Sequence, residues 1–165
     1  MRWRKSSIEE SLTTGLSFGL TSATITTLGL MIGLNSSTNS RMVVIGGILT
    51  IAVADAFSDA LGIHLAEESD SEHTAKEIWL STVFTFLAKF LFALTFLLPV
   101  LNLSLGVAIW VDIIWGLLIL STLSFVIAKA QKNKPHKVIF EHLFIAIIVI
   151  FLANLVGHWI KTIFG

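Results

Sequence analysis

The chain contains no cysteine and no tyrosine, only two prolines, and little charge, with Asp, Glu, Lys and Arg making up 13% of its 165 residues. Without cysteine there is no disulfide, no zinc–thiolate site and no thiol nucleophile. Lys plus Arg and Asp plus Glu number 11 each, so the formal net charge is zero. A neutral chain has no general electrostatic attraction for nucleic acid. What is present is apolar: 55% of residues are hydrophobic and the mean hydropathy is +0.86. Soluble domains average about 25% charged residues, so this composition is that of a multi-pass membrane protein.

Five stretches have the length of a spanning helix, about 20 residues. They are Leu12–Leu34, Met42–Leu65, Ile78–Leu101, Leu105–Ala128 and Val138–Ile160. All connections are short. The expectation is therefore one domain over residues 1–165, an all-α membrane protein with five transmembrane helices in one bundle. The first stretch is too long for a signal-peptide core and has no clear cleavage site, so it is expected to be retained. Eight basic residues (Arg2, Arg4, Lys5, Lys76, Lys129, Lys132, Lys134 and Lys137) fall on the N-terminal side of the membrane, and only Arg41 and Lys161 on the other. That bias predicts a cytoplasmic N-terminus, and an odd helix count then puts the C-terminus on the opposite side. Trp79 and Trp159 lie near span ends, where such rings anchor, while Trp115 is too deep for that and is expected to pack.

The second stretch carries Asp55 and Asp59 at mid-membrane depth. A carboxylate there is costly and defaults to a functional reading. Spaced by four, the two lie on one helical face, and paired oxygen donors suit a divalent cation. Lys89 in the third stretch is also near the middle, and Asp112 lies in the fourth. Lys89 and Asp112 are candidates for counter-ion or proton relay. One lysine cannot neutralise three acids, and the surplus negative charge calls for a cation or protons. The other reading is a structural set of charge pairs that pins helix packing, a weak stabiliser. In the first stretch, Ser22 and Thr26 either line the same path or bond back to their own helix. Gly15, Gly19 and Ala23 form a small-residue stripe that permits close helix contact, within the chain or in a homodimer. His64, Glu67, Glu68, Asp70, Glu72 and His73 mark a cytoplasmic entry, and Asn154 and His158 an outer exit. The acidic loop lacks EF-hand spacing, and the basic loop from Lys129 to Lys137 is explained by topology and anionic lipid headgroups.

At these residues the chain resembles the vacuolar iron transporter family. Ser22–Gly33, S-A-T-I-T-T-L-G-L-M-I-G, is similar to the family's D-G-L-V-T-T and following apolar run. Ala54–His64, A-D-A-F-S-D-A-L-G-I-H, is similar to A-G-A-L-S-M-A-A-G-E-Y, and N-L-V-G-H-W-I to its final V-G-Y-x-I-G. The resemblance implies a dimer of five-helix protomers that exchanges ferrous iron or manganese for protons, along a path between the first and second helices. This chain departs from the pattern at the pathway itself. Ser22 stands for the family's aspartate, Asp59 for its methionine, and Ile63 for its glutamate. The Glu-rich insertion between helices two and three is reduced to a short acidic loop. An oxygen-only site shifts preference toward harder ions such as Mn²⁺ or Mg²⁺.

The leading expectation is thus a secondary transporter or exporter of divalent metal, Fe²⁺ or Mn²⁺, coupled to protons, with the metal as substrate and no tightly bound cofactor. The alternative is a non-transporting membrane scaffold or assembly subunit. No Ser–His dyad at matched depth, paired H-x-x-x-H or Gly-Asp protease motif is present, so an enzyme is not expected.

Overall fold

The computed structural model describes residues 7–70 and 73–165. Among the described residues there is no strand, only helices: α1 (Ser7–Thr38), α2 (Arg41–Glu68), α3 (Ala75–Thr95), α4 (Leu97–Asn102), α5 (Leu105–Ala130) and α6 (Pro135–Phe164). With α3 and α4 read as one span, five segments are long and apolar enough to cross a membrane, and they pack in one bundle. The chain is an all-α protein of multi-pass membrane type.

Each helix end has a local cause. Asn39 takes a left-handed φ of 48° and closes α1, a conformation asparagine tolerates. The Thr74 side chain accepts from the Glu77 N–H, and Glu77 reaches back to the Thr74 N–H, a capping box that starts α3. Glu77 is therefore committed to the cap and is buried. At the end of α5, Lys132 has φ 59°, with Asn133 N–H donating to Ala128 O and Lys132 N–H to Lys129 O. That is a Schellman turn, and Pro135 then opens α6 at a position where no N–H is needed.

The third span is not the single helix expected over 78–101. It breaks at Phe96, because Pro99 offers no N–H to the carbonyl of Thr95 and its ring crowds that carbonyl. Trp115 braces the break: its ring stacks near Phe92, and Nε1 donates to Thr95 Oγ1 at 3.1 Å.

The hub is α1, which packs against α2, α3, α5 and α6. A Cβ on Gly15 would sit 2.6 Å from Ser81 O, and one on Gly19 2.8 Å from Thr85 O. Of the two contacts open to the stripe, the one within the chain is made: Gly15 and Gly19 let α1 and α3 meet backbone to backbone. Ala23, on the same stripe, is fully buried. On α6, Gly157 makes the matching approach to Gly33 O and Ser36 of α1.

The two ends of the bundle differ in kind. At the Asn39 end, Leu28, Met31, Val44, Ile48, Phe96 and Val100 form an apolar core. Toward the other end α2 buries only alanines (Ala52, Ala56 and Ala60), and α3 buries Ser81, Thr85 and Lys89 at every fourth position. Small residues on α1 and α2 leave room there for a polar seam.

Candidate ion site within the bundle

Asp55 lies close to the middle of the 28-residue α2, and Asp59 one turn further on. Each precedes one of the buried alanines, which turns both carboxylates toward the edge of α2 that faces α3. Lys89 is 1% exposed and meets them there. Its Nζ lies 2.5 Å from Asp55 Oδ2 and 2.5 Å from Asp59 Oδ2. The contact to Asp59 has hydrogen-bond alignment; the contact to Asp55 is an ion pair without it. Nζ also donates to Ser22 Oγ at 2.8 Å, so one ammonium ties α1, α2 and α3 together at one level. The formal charges of the two carboxylates and one ammonium sum to −1.

The carboxylates are not sealed. The Asp55 side chain is 28% exposed and the Asp59 side chain 18%. Asp55 lines a groove of about 700 Å³ between α1 and α2, together with Thr26, Leu30, Thr50, Ala54 and Ser58. The Thr26 hydroxyl donates to Ser22 O at 2.8 Å, so it lines the groove with its bonding hydrogen already used.

Asp112 is placed elsewhere. Its neighbour one turn on, Gly116, abuts Thr24 and Leu28. Thr24 is about 200° round α1 from Ser22. Asp112 is fully buried, and neither carboxylate oxygen has a hydrogen-bond partner. No ion pair reaches it among the described residues. Asp112 and Lys89, both candidates for counter-ion or proton relay, therefore lie on different sides of α1.

The expected entry residues are split. His64 Nδ1 is 2.9 Å from Thr82 Oγ1, and that hydroxyl already donates to Ile78 O, so the ring nitrogen is the donor. Its ring packs edge-on against Trp79. His73 lies 3.6 Å from Glu67 and 4.0 Å from Asp70. Glu68 is exposed, and Glu72 lies outside the described residues. At the other end, Ser36 donates to Asn154 Oδ1 at 2.6 Å, and His158 Nδ1 donates to Asn154 O at 3.0 Å. Asn154 and His158 thus serve contacts within and against α6. Among the described residues no three His, Asp or Glu side chains converge to hold a metal ion.

No family model matches the chain, and no curated protein matches it. Function is read from the site itself.

Sequence reasoning missed the buried hydroxyls of α3, Ser81 and Thr85, and the exposed ones of α2, Thr50 and Ser58. The signal was there: Ser81, Thr85 and Lys89 at every fourth position of α3, and Thr50 and Ser58 eight apart on α2, all inside apolar runs.

Proposed function

We propose that the chain is a secondary transporter of divalent cations, Fe²⁺ or Mn²⁺, coupled to protons. One observation carries this reading: two carboxylates in mid-span share a single buried lysine, leaving a formal charge of −1 beside an open groove. A purely structural pair is balanced and closed, whereas here acid exceeds base in a setting where charge is costly. Carboxylates bind metal when deprotonated and release it on protonation, which couples the two fluxes. The likeness of the α1 and α2 motifs to the vacuolar iron transporter family supports the same choice of substrate. The cytoplasmic N-terminus belongs to this proposal. Its basic residues Arg2, Arg4 and Lys5 lie outside the described residues.

A homodimer completes the reading. The outward face of α2 carries Gly46, Thr50, Ala54, Ser58 and Gly62, all exposed at spacings of four. A Cβ on Gly46 or Gly62 would meet nothing of this chain. A small-residue face lets a second copy approach closely and would cover the groove into which Asp55 opens.

The scaffold reading has one observation in its favour: among the described residues no third acidic or histidine ligand joins the pair. Flux measurements separate the two. Purified protein in proteoliposomes is expected to move Mn²⁺ in response to a pH gradient, and Asp59→Asn to abolish that movement. Absence of flux in the wild type, or equal flux in Asp59→Asn, returns the cluster to a packing role.

A further inference from the structure

The Lys89 ammonium does not flank the carboxylates; it occupies the gap they share. Its 2.5 Å distances to Asp55 Oδ2 and Asp59 Oδ2 fall within the range of oxygen contacts to hard divalent ions, about 2.0–2.6 Å. Resting on the transport reading above, we infer that Lys89 is a tethered competitor of the cargo, so that ammonium and divalent cation take turns in one position. Space requires this, because one gap holds one centre. Charge requires it as well. The two carboxylates carry −2, the ammonium brings them to −1, and a divalent ion in its place brings them to zero. Both together in the gap would hold two cations in contact with each other, where like charges repel most strongly.

The contacts of Lys89 show how the exchange is arranged. The stem is held on α3, and the ammonium has a third acceptor, Ser22 Oγ on α1 at 2.8 Å, outside the carboxylate pair. That hydroxyl retains the ammonium as it leaves the gap. The arrangement also selects by charge. A monovalent ion brings no more charge than the tethered ammonium and must be gathered from solution, so it loses the competition. A divalent ion wins it. Lys89 is thus the specificity residue of the site, excluding Na⁺ and K⁺ without any contact to them.

The test compares wild type and Lys89→Met, purified at full length, by thermal unfolding in Mn²⁺, Mg²⁺ or Na⁺. If the ammonium vacates the gap in a tenth of molecules or fewer, removing it tightens apparent divalent affinity by about tenfold or more. Na⁺ is expected to stabilise Lys89→Met and leave the wild type unchanged. Lys89→Met can fail to fold, so a second measurement uses the wild type alone. With lysine labelled by nitrogen-15, and Lys89→Arg used to assign its signal, the Lys89 ammonium resonance is expected to shift over the Mg²⁺ range that raises the melting temperature. Wild type stabilised by Mg²⁺ with an unmoved Lys89 signal overturns the inference and leaves the transport reading standing. So does a folded Lys89→Met that binds no tighter than wild type. Divalent binding by Lys89→Met alone upholds the competition but removes divalent transport from the wild type. If neither protein responds to Mn²⁺ or Mg²⁺, both proposals fall.

Discussion

On one side of α1, Lys89 stands between two carboxylates and a hydroxyl; on the other, Asp112 is buried with nothing to bond to. Both regions place an acid deep in a helical bundle, yet they solve the burial differently. The α2–α3 side has oversupplied acid and built a cation into the chain, and a groove reaches Asp55. The α5 side has isolated a single fully buried acid, one turn from the point where Gly116 meets Thr24 and Leu28 of α1. Partnered charge at depth fixes the geometry of three helices, whereas unpartnered charge fixes none. Substitutions on the two sides should therefore differ sharply.

The largest effect is expected from Lys89→Met. It strands two carboxylates at once, and breaking a buried pair by removing one partner costs about 3–5 kcal/mol. The partial exposure of both aspartates puts the expected loss toward the lower end, read as a fall in unfolding free energy in detergent. An unchanged stability would mean that the clamp holds nothing. The middle effect contrasts two glycines. Gly19→Ala drives a methyl toward the backbone at Thr85 O, which cannot yield, whereas Gly116→Ala meets the end of the Leu28 side chain, which can turn aside. Overpacking costs about 1–3 kcal/mol, and Gly19→Ala should lie above Gly116→Ala. The reverse order in thermal unfolding would place the rigid contact on the α5 side. The smallest effect is expected at Asp112. Asp112→Asn removes no bond, so stability should stay within about 1 kcal/mol of wild type. A loss as large as that of Lys89→Met would reveal a partner for Asp112 and end the contrast.

The sequence made the clamp partly legible. Aspartates four apart must share a face, and helical rise alone put Lys89 at their depth. Rise gives height along a helix but not the angle at which one helix meets the next. Lys89 and Asp112 both lie well inside their spans, and nothing in the linear pattern shows that α1 separates them. The same gap explains the glycine stripe. Gly15 and Gly19 announce a close approach without saying whether the partner is α3 or a second chain. Other features were readable and went unread. T-A-K-E from Thr74 to Glu77 is a capping-box pattern, and Pro99 inside an apolar run marks a break. Where a single helix settles the question, as for Trp115 at depth, residue and role agree; where two helices must be rotated against each other, they do not.

The central position of α1 has a consequence for how the molecule is made. Among the described helices α1 is made before the others, and each later span packs against it. Its Gly15 and Gly19 face waits for α3, and the contact at Thr24 and Leu28 waits for α5. Gly33 waits for Gly157, one of the two buried residues of α6. The α1–α6 contact joins residues about 120 positions apart, a long loop whose entropy is recovered only when α6 docks. Until then α1 keeps a bare glycine face in the bilayer, open to any neighbouring helix.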